Sequence, residues 1–137
     1  MNTINRLSRL IAFDTTSRHS NLALIHDCAD YLESLGLKPW LSHNADQSKA
    51  NLFATIAAAD GNTEGGLILS GHTDVVPTDG QTWQSDPYRA DIREGRLYGR
   101  GSADMKGFIA AVPAAAPAMV QAGLKRPLHI ALSYDEE

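Results

Sequence analysis

One cysteine, Cys28, stands in a chain of 137 residues. That excludes an internal disulfide framework and any zinc site built from several cysteines. Cys28 lies among Ile25, Ala29 and Leu32 at helical spacing and is expected in the core. Positive charge is not in excess: 12 Lys and Arg stand against 16 Asp and Glu, a formal net charge of -4. No basic stripe is available for nucleic acid or an anionic membrane, and neither is expected as a partner. Long apolar runs are missing too. Behind Arg6 and Arg9 only Leu10 to Phe13 are apolar. That is too short for a secretory h-region and far too short to span a bilayer, so a cytoplasmic protein is expected. There is no internal repeat and no low-complexity tract beyond the alanine-rich "AAVPAAAPA", which reads as helix.

What is present has the make-up of an ordinary globular domain, 43% hydrophobic and 20% charged, and the length suits one domain. Ile4, Leu7, Leu10 and Ile11 recur at helical spacing, so a short helix opens the chain. A second helix fits Asn21 to Leu35, capped by Ser20, with Leu22, Ile25, Ala29, Leu32 and Leu35 on one face and Gly36 at its end. "KPWLSH" and "NLFATIA" read as strands, and "GGLILSG" as a strand covered on both faces. Residues 73–88 form a long loop rich in Pro, Gly, Asp and Ser, and loops of this length are usually functional. "ADIREGRLYG" reads as a hairpin turning at Glu94-Gly95. A helix from about Met105 to Ala122 contains Pro113 and Pro117. An interior proline costs about 3 kcal/mol, so a kink or break near Val112 is expected. Beyond Gly123, "RPLHIALSYD" is the next buried strand. Strands alternating with helices indicate an α/β fold with a mostly parallel mixed sheet flanked by helices.

In such sheets, sites form at the carboxyl ends of strands, and the acidic and histidine clusters fall there. His72 and Asp74 follow "LILSG", Asp104 precedes the long helix, and Asp135, Glu136 and Glu137 follow the last strand. Taken singly, each is a solvated loop feature; their coincidence at strand and helix ends is the signal. His72 and Asp74 are two residues apart and can point the same way, which lets the carboxylate orient the imidazole from behind. His72, Asp104 and Glu137 supply one nitrogen and several oxygens, a set that suits zinc, cobalt or manganese. Glu136 is the spare carboxylate and the candidate general base. Adjacent Glu136 and Glu137 are expected on opposite sides of an extended segment. "GRGSADMKG" has Asp104 where a dinucleotide loop wants glycine, and it lacks the Gly-Lys-Ser/Thr of a nucleotide loop. His19, His26, His43 and His129 read as structural.

"SGHTDVVP", "LYGRGSADMKGFIA" and "SYDEE", in this order and spacing, resemble the dinuclear zinc amidohydrolases and exopeptidases. That family includes deacetylases, desuccinylases, aminoacylases and carboxypeptidases. The flanking text, "KANLFATI" and "DGQTWQSDPYRADIREGRLYGRG" among it, is most similar to its acetylornithine deacetylase branch. The resemblance implies two divalent metal ions, zinc or cobalt, and a small N-acyl amino acid substrate. It implies that His72 and Glu137 each ligate one metal, that Asp104 bridges both and is followed by a cis peptide, that Asp74 orients His72, and that Glu136 is the general base. The loop from Thr73 to Pro87 would border the cleft. It further implies that residues 1–137 are the N-terminal part of a zinc-exopeptidase-like catalytic domain. The remaining ligands and a domain for lid and homodimer formation would lie outside it, and the chain alone would be inactive. The rival from another class is a non-catalytic metal-binding or interaction module.

Overall fold

A computed structural model describes residues 2–137. Helix α1, Thr3–Ile11, starts where the Asn2 side chain accepts a hydrogen bond from the Asn5 amide at 2.8 Å. It buries Arg6, Leu7, Leu10 and Ile11. Ile4, expected on that face, is exposed. Helix α2, Leu22–Ser34, buries Leu24, Ile25, Cys28, Ala29 and Leu32. Its Leu22 amide is capped by the Ser20 hydroxyl at 3.1 Å. Asn21 does not cap; its buried amide group joins the edge of the next layer instead.

Strands β1, Trp40–His43, β2, Ala50–Ile56, β3, Leu67–His72, and β6, Leu128–Ser133, form one sheet in the order β1-β2-β6-β3. A separate hairpin joins β4, Asp91–Arg93, to β5, Arg96–Tyr98. It turns at Glu94 and Gly95, both with positive φ, the backbone a two-residue type I′ turn requires. Helix α3, Lys106–Gln121, separates β5 from β6. The fold is α/β with a mixed sheet, but "mostly parallel" needs correction. Only β3 and β6 run parallel; β1–β2 and β2–β6 are antiparallel. The last strand enters between β2 and β3, an insertion that hydropathy patterning does not encode.

Leu41, Leu52, Ala54, Leu69, Ile130 and Leu132 share one sheet face by register and pack with the helices in a single core. Gly71 lies on the same face. A Cβ there would come within 2.8 Å of Ile109 and 3.0 Å of Phe108, so glycine lets α3 lie close over β3. The other face carries Trp40, Phe53, Ala131 and Ser70 in one row and Thr55, His129 and Ile68 in the next. The expectation that β3 is covered on both faces fails: it is an edge strand, with Leu67 60% and Ile68 56% exposed. The break expected near Val112 is also absent. α3 runs through Pro113 and Pro117 as one helix and buries Ile109, Ala110, Val112, Pro113 and Ala116. Burial of that face offsets the two missing amide donors. No described helix is long and apolar enough to cross a membrane.

Candidate metal centre

The parallel pair positions the centre. β3 ends at His72, opposite Ser133 at the end of β6. The Thr73 amide and hydroxyl both donate to the Ser133 carbonyl at 2.8 Å, which carries the pairing one residue further. Asn21 supports this edge with three contacts. It donates to the Thr73 hydroxyl and the Ala50 carbonyl, each at 2.9 Å, and accepts from the Ala50 amide at 3.0 Å.

The His72 ring is buried. Its Nδ1 lies 3.0 Å from the backbone carbonyl of Asp74 and 3.5 Å from the carboxylate. The Nδ1–H therefore donates to that carbonyl and leaves Nε2 as the outward nitrogen. Facing Nε2 are Asp104 Oδ1 at 2.9 Å and Glu136 Oε2 at 3.5 Å. A neutral ring held this way offers a lone pair to two carboxylates, and that contact needs a proton or a cation between the groups. Burial lowers the His72 pKa. The Asp104 bond, the Asp74 backbone and the Asp74 and Glu136 charges raise it and outweigh burial, so the net shift is upward. Burial and the Asp104 charge raise Glu137, with His72 opposing.

Asp74 does less for the imidazole, and more elsewhere, than its spacing suggests. Its carboxylate is buried and turned to other donors: the Ser17 hydroxyl at 2.7 Å, the Glu136 amide at 3.2 Å and the Glu137 amide at 3.1 Å. Burial pushes this carboxyl up, but the three bonds outweigh it and the net shift is downward.

The two glutamates are not on opposite sides of an extended segment. Asp135 has φ +55° and breaks the extended path. One oxygen each of Glu136 and Glu137 and one ring nitrogen of His72 lie within 4.8 Å of one another. Ligands on one zinc, with bonds of about 2.0–2.2 Å, sit roughly 3.4 Å apart. The glutamate carboxylates, being exposed, are the groups free to move toward that spacing. The Asp104–Met105 peptide is cis. Beside it Lys106 is fully buried, donates to the Phe13 carbonyl at 2.6 Å and has its pKa pushed down to about 8 by burial.

Thus His72, Asp104, Glu136 and Glu137 meet at the carboxyl edge. The other histidines lie away from it. His19 is 3.2 Å from Asp14. His129 Nδ1 accepts from the Thr55 hydroxyl while Nε2 donates to the Gly65 carbonyl, both at 2.8 Å, under the Phe53 ring. Cys28 is in the core, where burial raises its pKa to about 11. Sequence reasoning missed Ser17, Asn21, Lys49 and Thr73, single polar residues in loops or at element ends with no periodic signal.

Residues 68–137 match the profile of the peptidase family M20/M25/M40. The acetylornithine deacetylase of Pasteurella multocida (strain Pm70) is 42% identical over 137 aligned residues, covering 95% of this chain and 35% of the relative. The chain therefore spans about a third of that protein's length. Among solved structures, human carnosine dipeptidase 1 aligns with a TM-score of 0.80 at 24% identity, over 96% of this chain and 31% of that one. The M20 family metallo-carboxypeptidase Sso-CP2 from Sulfolobus solfataricus aligns with a TM-score of 0.75 at 24% identity, over 98% of this chain and 31% of that one. These two likenesses concern the fold.

Proposed function

The chain belongs to peptidase family M20/M25/M40, and from that premise we propose that it is the N-terminal part of the catalytic domain of a metal-dependent amide hydrolase. The substrate we assign is N2-acetyl-L-ornithine, cleaved to L-ornithine and acetate on the route to arginine in the cytoplasm. The observation that carries the chemistry is the outward Nε2 of His72 against Asp104 at 2.9 Å and Glu136 at 3.5 Å, with Glu137 beside them. One imidazole nitrogen and several carboxylate oxygens fit a divalent ion of the zinc or cobalt type. The identity to a protein named acetylornithine deacetylase supports the choice of acyl amino acid.

Bound there, a pair of divalent ions would polarise the acyl carbonyl and acidify water toward a pKa of about 7. His72, Asp104 and Glu137 are the side chains that would hold the ions. The Asp74 carbonyl accepts from the His72 Nδ1–H and so directs Nε2 outward. Glu136, with its side chain 61% exposed, takes the proton of the attacking water and passes it to the departing amine. Further ligands and the homodimer contact belong to chain beyond these residues. The 137 residues alone hold metal loosely and turn over no substrate.

The test is a substrate panel on the full-length protein with and without chelator: N2-acetyl-L-ornithine, N-succinyl-diaminopimelate and an N-acetylated neutral amino acid. Chelator-sensitive acetate release, with the ornithine substrate preferred, is expected. Preference for another member of the panel moves the assignment to a desuccinylase or aminoacylase. Hydrolysis of none, with metal bound, favours a non-catalytic module.

A further inference from the structure

Glu136 and Glu137 reach His72 because the chain turns sharply at Asp135, and a ring of contacts surrounds that turn. Asp135 is not glycine, yet its φ is +55°, a region that a short polar side chain tolerates at some cost. Its carboxylate pairs with the Lys49 ammonium. The Lys49 side chain is only 13% exposed, donates to the Ser17 carbonyl at 2.5 Å and has its ammonium 6.0 Å from the centre of the Tyr134 ring. Ser17 is engaged at both ends: its carbonyl accepts from Lys49, and its hydroxyl donates to Asp74 at 2.7 Å. Asp74 accepts the amides of Glu136 and Glu137 at 3.2 and 3.1 Å. The contacts close a loop from Lys49 through Ser17, Asp74 and the two glutamate amides to Asp135, and back to Lys49.

We propose that Lys49 and Ser17 are positioning residues: together they hold the left-handed turn at Asp135 that aims Glu136 and Glu137 at the metal centre. The plainer alternative is an ordinary ion pair of small consequence. Two features stand against it. The Lys49 ammonium has a backbone acceptor as well as the carboxylate, and the pair spans 86 residues of sequence to fix two amides that no strand holds. The proposal rests on the hydrolase reading above.

The experiment uses the full-length protein loaded with cobalt, in wild type, Lys49→Ala, Lys49→Arg, Ser17→Ala and Ser17→Thr. Four quantities are read: the visible absorption spectrum of the bound cobalt, kcat and KM for N2-acetyl-L-ornithine, and the melting temperature. Contacts that orient metal ligands typically matter by about 10–100-fold. Lys49→Ala and Ser17→Ala are therefore expected to alter the cobalt spectrum and lower kcat by ~10-fold or more, with KM within about 2-fold. Lys49→Arg and Ser17→Thr are expected to recover most of the loss. Should Lys49→Ala fail to fold, Ser17→Ala, which removes one hydroxyl, carries the test. Alanine variants with the wild-type spectrum and kcat, or with a lower melting temperature as the only change, overturn the positioning roles and leave the hydrolase reading standing. A wild-type protein that takes up no cobalt overturns the hydrolase reading, and this proposal with it.

Discussion

Under the helices, Leu52, Ala54, Ile130 and Leu132 are 2% exposed or less and pack among apolar neighbours. Just past the end of β3, Thr73 and Asp74 are buried to the same degree, yet each is surrounded by hydrogen bonds from distant segments. Thr73 alone takes contacts from Thr15, Asn21 and Ser133. Equal burial thus rests on different chemistry in the two regions. The apolar region asks for volume, and many sequences supply it. The polar edge asks that every donor find its acceptor, and a missing partner leaves a buried group unsatisfied. The metal centre sits on the second region, so its geometry depends on residues far from it in the chain.

The largest effect expected lies at the edge. In the full-length protein, Glu136→Ala should retain metal and lose turnover by ~10²-fold or more, the scale of general acid–base catalysis. Glu137→Ala should lose metal as well, measured by atomic absorption after dialysis. Equal metal and equal activity in both would show that the two roles are assigned wrongly. On the covered face, Ile130→Ala should cost about 2–5 kcal/mol by urea denaturation, whereas Leu132→Met, which keeps the volume, should cost less than about 1.5 kcal/mol. A reversed order would undo the contrast between the regions.

A smaller loss is expected where the regions meet. Asn21→Ala removes the partner of both the Ala50 amide and the Ala50 carbonyl, and a buried group left unpaired costs about 1–3 kcal/mol. Cys28 gives a pH test on the apolar side. Its pKa is raised in the folded state to about 11, above the ordinary 9.0. Between those values the folded chain holds the proton more tightly than the unfolded one, so stability is full below pH 9 and falls as pH rises toward 11. Relative to Cys28→Ala, the wild type should lose on the order of 1 kcal/mol by pH 10. Parallel stability profiles for the two proteins would contradict the burial of the thiol.

The same contrast decides what could be read from the sequence. The apolar region repeats, so helical spacing in Leu7, Leu10 and Ile11 and in Ile25, Ala29 and Leu32 identified its faces. His72, Asp104 and the terminal carboxylates could be picked out because they interrupt apolar runs. Strand order could not, since nothing in "RPLHIALSYD" says that it inserts between β2 and β3. Nor could the polar ring: Ser17 and Lys49 are ordinary loop residues, and Asp74, singled out beside His72, gives no sign in the sequence that it accepts from Ser17 across 57 residues. The turn at Asp135 was hidden for a related reason. Positive φ usually announces itself as glycine, and here an aspartate holds it with help from Lys49.

The smallest effect expected isolates burial itself. Ile68 and Ile130 are the same residue type on neighbouring strands of one sheet, β3 and β6. Ile130 is fully buried on the covered face, and Ile68 is 56% exposed on the other. Isoleucine to threonine keeps the β-branched shape that strands favour and replaces one methylene-bearing arm by a hydroxyl. At Ile130 the hydroxyl enters the apolar cluster, so a loss of roughly 1–3 kcal/mol for an unpaired buried group adds to the lost apolar burial. At Ile68 the hydroxyl meets water and little apolar contact is lost, so the change in the 137-residue chain should stay within about 0.5 kcal/mol. The measurement is a pair of urea titrations, one for each variant, against the wild type. A comparable loss at both positions would show that the outer face of β3 is packed rather than open, and the division of this sheet into a covered and an uncovered side would have to be redrawn.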